Sequence, residues 1–257
     1  QGFDTVVGGR QHSGPPGGYF APFSADSNLP ASPTGTHVND LLVDKALDFI
    51  NANTSTPFLL NLWFYDVHAP CEAKAALKAN YVGTSSTDGR QRCPTMGAMV
   101  ESMDTGVGRV IDRLESLGIE DNTIIIFYSD NGGNMYNWVD DALPTHNWPL
   151  RQGKASIHEG GSKVPCVIVW PGHITPATTS NQFVSSIDLY PTMLEMAGVT
   201  VNPLAVVDGV SLIPAIDSTG TPRDTIFCHF PHTVPTTGNR AAWSVMQGDW
   251  KLIRFFH

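Results

Sequence analysis

Thr123-Ile124-Ile125-Ile126-Phe127-Tyr128-Ser129-Asp130-Asn131-Gly132-Gly133 is the stretch on which the fold turns. Six β-branched or aromatic residues in succession read as a strand covered on both faces. The strand empties directly into a short polar loop. In open α/β sheets, ligands gather beyond the carboxyl ends of strands. Asp130 and Asn131 there offer a carboxylate and an amide oxygen, the donors that a hard cation such as Ca²⁺ or Mg²⁺ prefers. The same four residues, Asp-Asn-Gly-Gly, are also ordinary tight-turn chemistry, and at this point both readings stand.

Outward from this stretch the chain alternates strands with helices. Downstream, Val164 to Trp170 repeats the apolar run after Glu159-Gly160-Gly161. A short helix is expected from Asp188 to Ala197, with Pro191 in its first turn and Gly198 as its stop. Thr225 to Phe230 and a hairpin over Ala241 to Phe255, turning at Gly248-Asp249, read as further strands. Upstream, Met96, Met99, Val100, Met103, Val107, Val110, Ile111, Leu114 and Leu117 step by three and four, which predicts a helix stopped by Gly118. Its methionines read as core packing. Phe58 to Tyr65 has the length and aromatic content of a buried strand. A helix over Val38 to Asn51 precedes it, with Thr36 or Asn39 as its cap. Residues 1–36 carry glycine and proline so densely that they read as loop, despite Tyr19, Phe20 and Phe23. The pattern predicts an α/β sheet with helices on both faces.

Composition narrows the partners. The 257 residues are 41% hydrophobic and 15% charged, with 24 glycines and 19 prolines, enough apolar matter for a core and enough breakers for many loops. Lys and Arg number 15 against 24 Asp and Glu, a net charge of −9 that disfavours nucleic acid and anionic membrane surfaces. No apolar stretch reaches the roughly 18 residues that a membrane span needs. Cys71, Cys93, Cys166 and Cys228 are widely spaced with no C-x-x-C pair, which argues against a zinc or thioredoxin-type centre and leaves compartment and pairing open. Both ends read as interiors of something longer.

Two further segments carry chemistry. Asp66-Val67-His68-Ala69-Pro70 places a histidine after a strand, where it can donate a proton to a leaving group, hold an anion, or serve structure alone. Pro149-Leu150-Arg151-Gln152-Gly153-Lys154 sets two cations beside glycine ahead of His158 and Glu159. In an acidic chain this is either an anion cradle or a solvated basic loop. No G-x-S-x-G elbow, P-loop or G-x-G-x-x-G is present.

Taken in order, the segments resemble the sulfatases of the alkaline-phosphatase-like superfamily. The matching stretches are Gln1-Gly2-Phe3-Asp4 with Gly8-Gly9, Val67-His68-Ala69-Pro70, Ala98 to Asp104, Ser129 to Gly133, Pro149 to Lys154 and Glu159 to Pro165. Trp170-Pro171-Gly172, Asp188 to Glu195, Asp208 to Leu212 and Gly248 to Ile253 complete the series. The resemblance implies a sandwich with a central, mostly parallel sheet flanked by helices, incomplete at both ends. It also implies a partial catalytic domain over 1–224 and the start of a carboxy-terminal region over 225–257. It implies hydrolysis of a sulfate monoester, with Asp130 and Asn131 on a Ca²⁺ or Mg²⁺ ion and with His68 and Lys154 contacting the sulfate group in one shared cleft. A phosphate or phosphonate ester hydrolase of the same superfamily and a non-catalytic binding module are the alternatives.

The nucleophile implied by the resemblance is a formylglycine made in C-x-P-x-R or S-x-P-x-R, and none is encoded here. Cys93 is followed directly by Pro94, and Ser13-Gly14-Pro15-Pro16-Gly17 ends in glycine. The expectation is therefore a central and later portion of a sulfatase, inactive alone and weak in metal binding. Export from the cytoplasm is implied by the resemblance only. Oligomeric state and the particular ester are not legible.

Overall fold

The computed structural model describes residues 2–9, 14–15, 17–25 and 27–256. Gln1 of the opening motif, Ser13 and Pro16 of the serine–proline segment, and His257 lie outside the described residues. The chain divides into two compact units, Gln1–Thr123 with Asn137–His146, and Ile124–Tyr136 with Asn147–His257.

The first unit is helical. Helix α1 (Val38–Ala52), the short α2 (Ala75–Ala79) and the long α3 (Pro94–Ser116) carry it, and both α1 and α2 pack on α3. The three-and-four spacing works as expected. Val38, Leu42 and Met99 close around Tyr19 in one fully buried cluster, and Met96 joins Cys93 and Ala142 in a second. Val100 is the exception and stands 45% exposed. Gly118 ends the helical stretch in the left-handed region at φ 65°. The cap of α1 differs from expectation. His37 occupies the N-cap position without a side-chain bond. Asn39 turns away from its own helix, and its Oδ1 accepts the Tyr65 amide at 3.1 Å.

The second unit holds the sheets. Strand β1 (Ile125–Tyr128) is followed by the single turn α4 (Glu159–Ser162) and by β2 (Cys166–Val169). Then come α5 (Leu189–Met196), α6 (Ile213–Ile216), and β3 (Thr225–Phe230), β4 (Ala242–Gln247) and β5 (Trp250–Phe255). β1 pairs with β2, Ile125 opposite Val169 and Tyr128 opposite Cys166, and β3-β4-β5 form a meander. Every pairing is antiparallel, which corrects the expected central, mostly parallel sheet among the described residues. A parallel return needs a crossover of a dozen or more residues, usually a helix. The link from β1 to β2 offers only four helical residues.

Two strand expectations also shift. Phe58 to Tyr65 pairs with no strand among the described residues, and from Phe58 to Phe64 its residues alternate between half-buried and exposed, with Leu59 at 63% and Trp63 at 74%. Such alternation is the signature of an extended segment with one covered face. β2 is not covered on both faces either, because Val167 and Val169 are exposed. Trp138, Trp148 and Trp250 are likewise mostly exposed. Among the described residues no helix is long and apolar enough to cross a membrane.

The Asp188 motif is a structural knot. Asp188 is completely buried, and its carboxylate accepts bonds from the Val210 and Ser185 amides at 2.9 and 2.8 Å and from Arg223. Thr192 donates its hydroxyl to the Asp188 carbonyl and receives the Leu212 amide at 2.9 Å. These bonds tie the start of α5 to the Asp208–Leu212 segment.

Candidate active site

The loop after β1 is built by close backbone approach. A Cβ at Gly132 would collide with the Gly160 carbonyl oxygen, and one at Gly153 with that of Gly133. Gly160 and Gly161 are crowded in the same way by the carbonyls of Gln152 and Ser156. Gly132 of D-N-G-G, Gly153 of Q-G-K and both glycines of E-G-G are thus one requirement: two loops and the α4 turn pack backbone on backbone, which only residues lacking Cβ allow. The Gly132 amide donates to Gly161 O at 3.0 Å, and the Lys154 amide donates to Gly133 O at 2.9 Å. The structure therefore brings the Asp130–Asn131 loop and the Lys154 loop together.

Asn147 completes the stitching, and nothing in the sequence pattern around it signals the role. Its Oδ1 accepts the Gly133 amide and its Nδ2 donates to the carbonyls of Gly133 and Gln152, each at 3.1 Å. Asn239 also stitches main-chain groups together. It is buried, accepts the Ile157 amide at 3.1 Å and donates to Arg240 O at 3.0 Å. Lys251 donates to the Ile157 carbonyl at 2.9 Å, and burial holds its proton affinity below the ordinary lysine range. Burial, then the cations of Arg151 and Lys251, push His158 down as well, so its ring is neutral at pH 7.

The candidate side chains stand as follows. Asp130 is exposed, and no hydrogen bond or ion pair engages its carboxylate among the described residues. Asn131 donates its Nδ2 to Gly132 O at 3.1 Å, which leaves Oδ1 as an acceptor. Lys154 is half-buried with no carboxylate within ion-pair reach among the described residues. It lies between Gln152 and Ala155, both left-handed at φ 61°. Non-glycine residues held in that region mark loops whose shape is fixed by their surroundings. An amide oxygen and a carboxylate suit a hard cation, and an ammonium suits an oxyanion. Among the described residues no cluster of three or more His, Cys, Asp or Glu could hold a metal by itself. Asp130 and Asn131 fit such an ion as two ligands out of the six to eight that Ca²⁺ takes.

His68 belongs to the first unit; Asp130, Asn131 and Lys154 belong to the second. The His68 Nδ1 lies 2.6 Å from the Ala69 carbonyl oxygen, which can only accept, so Nδ1 carries the proton. A Cβ on Gly14 would sit 3.4 Å from that same nitrogen. Nε2 carries no proton in that tautomer.

Solved structures show the fold. Ps i-CgsB in complex with a neocarrahexaose superposes with a TM-score of 0.74 at 30% identity, over 87% of this chain and 47% of that one. A phosphonate monoester hydrolase of Agrobacterium radiobacter superposes at 0.56 and 20% identity, which speaks for the fold alone. The fold is alkaline-phosphatase-like. The family model described as Sulfatase matches residues 1–199, and one described as N-sulphoglucosamine sulphohydrolase, C-terminal, matches residues 146–257. The chain belongs to the sulfatase family. A sulfatase of Formosa agariphila is 36% identical over 77% of this chain and 37% of its own length. The mouse N-acetylgalactosamine-6-sulfatase is 34% identical over 70% of this chain and 33% of its own. The chain thus spans about a third of the curated relatives it matches.

Proposed function

We propose that this chain is the portion of a sulfuric ester hydrolase that recognises the sulfate group and supplies part of the metal site. The observation that carries the reading is Lys154, a half-buried cation with no carboxylate partner among the described residues, whose own amide is bonded to Gly133 of the Asp130–Asn131 loop. A sulfate monoester spreads negative charge over its oxygens, and a fixed ammonium stabilises the charge that develops as the ester bond breaks. Lys154 holds the sulfate oxygens. His68, with its proton fixed on Nδ1, becomes a donor through Nε2 when it is doubly protonated, which suits transfer to the departing alkoxide. Asp130 and Asn131 Oδ1 would bind Ca²⁺ or Mg²⁺, which when present adds positive charge against the sulfate. The nucleophile, a formylglycine by resemblance, is not encoded in these residues. The reading also holds that 225–257 opens the carboxy-terminal region, that a parallel sheet is completed in the whole protein, and that the whole protein works outside the cytoplasm.

The test compares an aryl sulfate with an aryl phosphate as substrates of the whole protein, its Lys154→Ala variant and the 257-residue chain. We expect sulfate hydrolysis by the whole protein, a fall of about 10²–10³-fold in kcat/KM on losing Lys154, and no turnover by the chain alone. An unchanged rate in Lys154→Ala would remove that residue from the site. Preferential phosphate cleavage would reassign the substrate, and turnover by the short chain would place the nucleophile within it.

A further inference from the structure

We propose that Tyr19 and Asn39 are positioning residues for His68, gripping the main chain of the Tyr65–His68 turn so that the imidazole keeps one tautomer and one orientation. The inference rests on the reading of His68 as a sulfate-contacting group. Tyr19 comes from the glycine-rich opening loop, yet it has no exposed surface. Its hydroxyl lies 2.6 Å from the Tyr65 carbonyl oxygen and 2.8 Å from that of His68, so one proton is shared across both ends of the turn. The His68 amide also donates to Tyr65 O at 2.8 Å, which makes that carbonyl the hinge pin.

Asn39 grips the same residue from the other side through the Tyr65 amide. Tyr19 is itself immobilised by its backbone: its amide donates to Glu72 at 2.8 Å and its carbonyl receives the Val38 amide at 2.8 Å. Its ring stacks on His37 with centroids 5.4 Å apart. Neither side chain is bonded to the imidazole. Each acts through the peptide groups whose orientation decides where the Ala69 carbonyl, and hence the Nδ1 proton, sits.

The phenylalanine variant isolates the hydroxyl, since the buried ring keeps its packing. In the whole protein, Tyr19→Phe should lower kcat by about tenfold while KM for an aryl sulfate stays within about twofold. The ¹⁵N signals of His68, assigned with His68→Gln, should move from the pure Nδ1–H pattern toward the average of both tautomers. That spectrum needs no turnover. If the wild-type protein fails to cleave sulfate esters, the proposed function falls, while the positioning claim is still decided by the signals. Should phenylalanine prevent folding, Asn39→Ser is read in the same way, with a smaller displacement expected. A His68 pattern identical to wild type in a folded Tyr19→Phe or Asn39→Ser protein overturns the proposal, even if thermal stability drops, because it would show packing alone.

Discussion

Asp66 and Asp188 are both buried aspartates, and the two units treat them in opposite ways. Asp188 has a guanidinium and two amides on its carboxylate. Asp66 is 8% exposed, and among the described residues neither of its oxygens finds a hydrogen bond. Asn39 Nδ2 and Ser102 Oγ are themselves unpaired. Burial is the main force on Asp66, and it pushes the carboxyl up to about 7, while Asn39, Lys74 and Ser102 pull down and Asp40 adds to the rise. A buried carboxylate with a full set of donors is architecture. One without them is a proton store, neutral on one side of pH 7 and costly on the other.

The largest effect should follow from breaking the complete set. Arg223→Met leaves the Asp188 side chain buried without its cation, and we expect a loss of about 3–5 kcal/mol in urea unfolding. A loss below about 1 kcal/mol would mean that the two amides suffice.

Asp66→Asn should go the other way. Between the unfolded carboxyl near 3.8 and the folded one near 7, the native state keeps a proton that the unfolded chain gives up. Stability therefore falls as pH rises through this window and stays low above it. The variant should gain about 1–3 kcal/mol at pH 8 and nothing at pH 4, measured as urea midpoints across pH. Equal curves for variant and wild type would show that Asp66 is ionised and paired in solution.

His37 sharpens the contrast within the first unit. Burial, then Lys74, lower it to about 4, with Asp40 and Glu72 opposing. Its neutral form is the native one, so stability is lost as pH falls from about 6.5 toward 4, the reverse of Asp66. His37→Gln should abolish a loss of about 1–2 kcal/mol on acidification from pH 7 to 5. Ser102→Ala should be the smallest change, a loss of up to about 1 kcal/mol at pH 8, where the nearby hydroxyl dipole favours the charged Asp66, and none at pH 5, where Asp66 is protonated.

The helices α1, α3 and α5 and the β4-β5 hairpin were legible because each rests on a local period or turn signal. The β1 run was legible too, but the direction of its neighbour was not, since pairing sense depends on the path of the intervening loop. Asp130, Asn131, His68 and Lys154 stand out in the sequence as candidates through their motifs. Their supports stand out less. Asn147 and Asn239 act through main-chain groups distant in sequence and leave no local pattern. Tyr19 left one trace, an aromatic within a glycine-rich loop, which read as loop although the ring is core. The glycines at 132, 153, 160 and 161 looked like turn residues one by one; only their mutual approach reveals that they are spacers.

The exposed indoles have a spectroscopic consequence. Trp63, Trp138, Trp148 and Trp250 account for four of the six tryptophans, and the last is 84% exposed. Native emission of this chain will already lie close to that of indole in water, so heating or urea will move the maximum little and a fluorescence melt will understate cooperativity. Far-ultraviolet dichroism of the α1–α3 pair is the better reporter of unfolding. The same indoles then become a label-free sensor of coverage: whatever docks on Trp63 or Trp250 will announce itself as a blue shift.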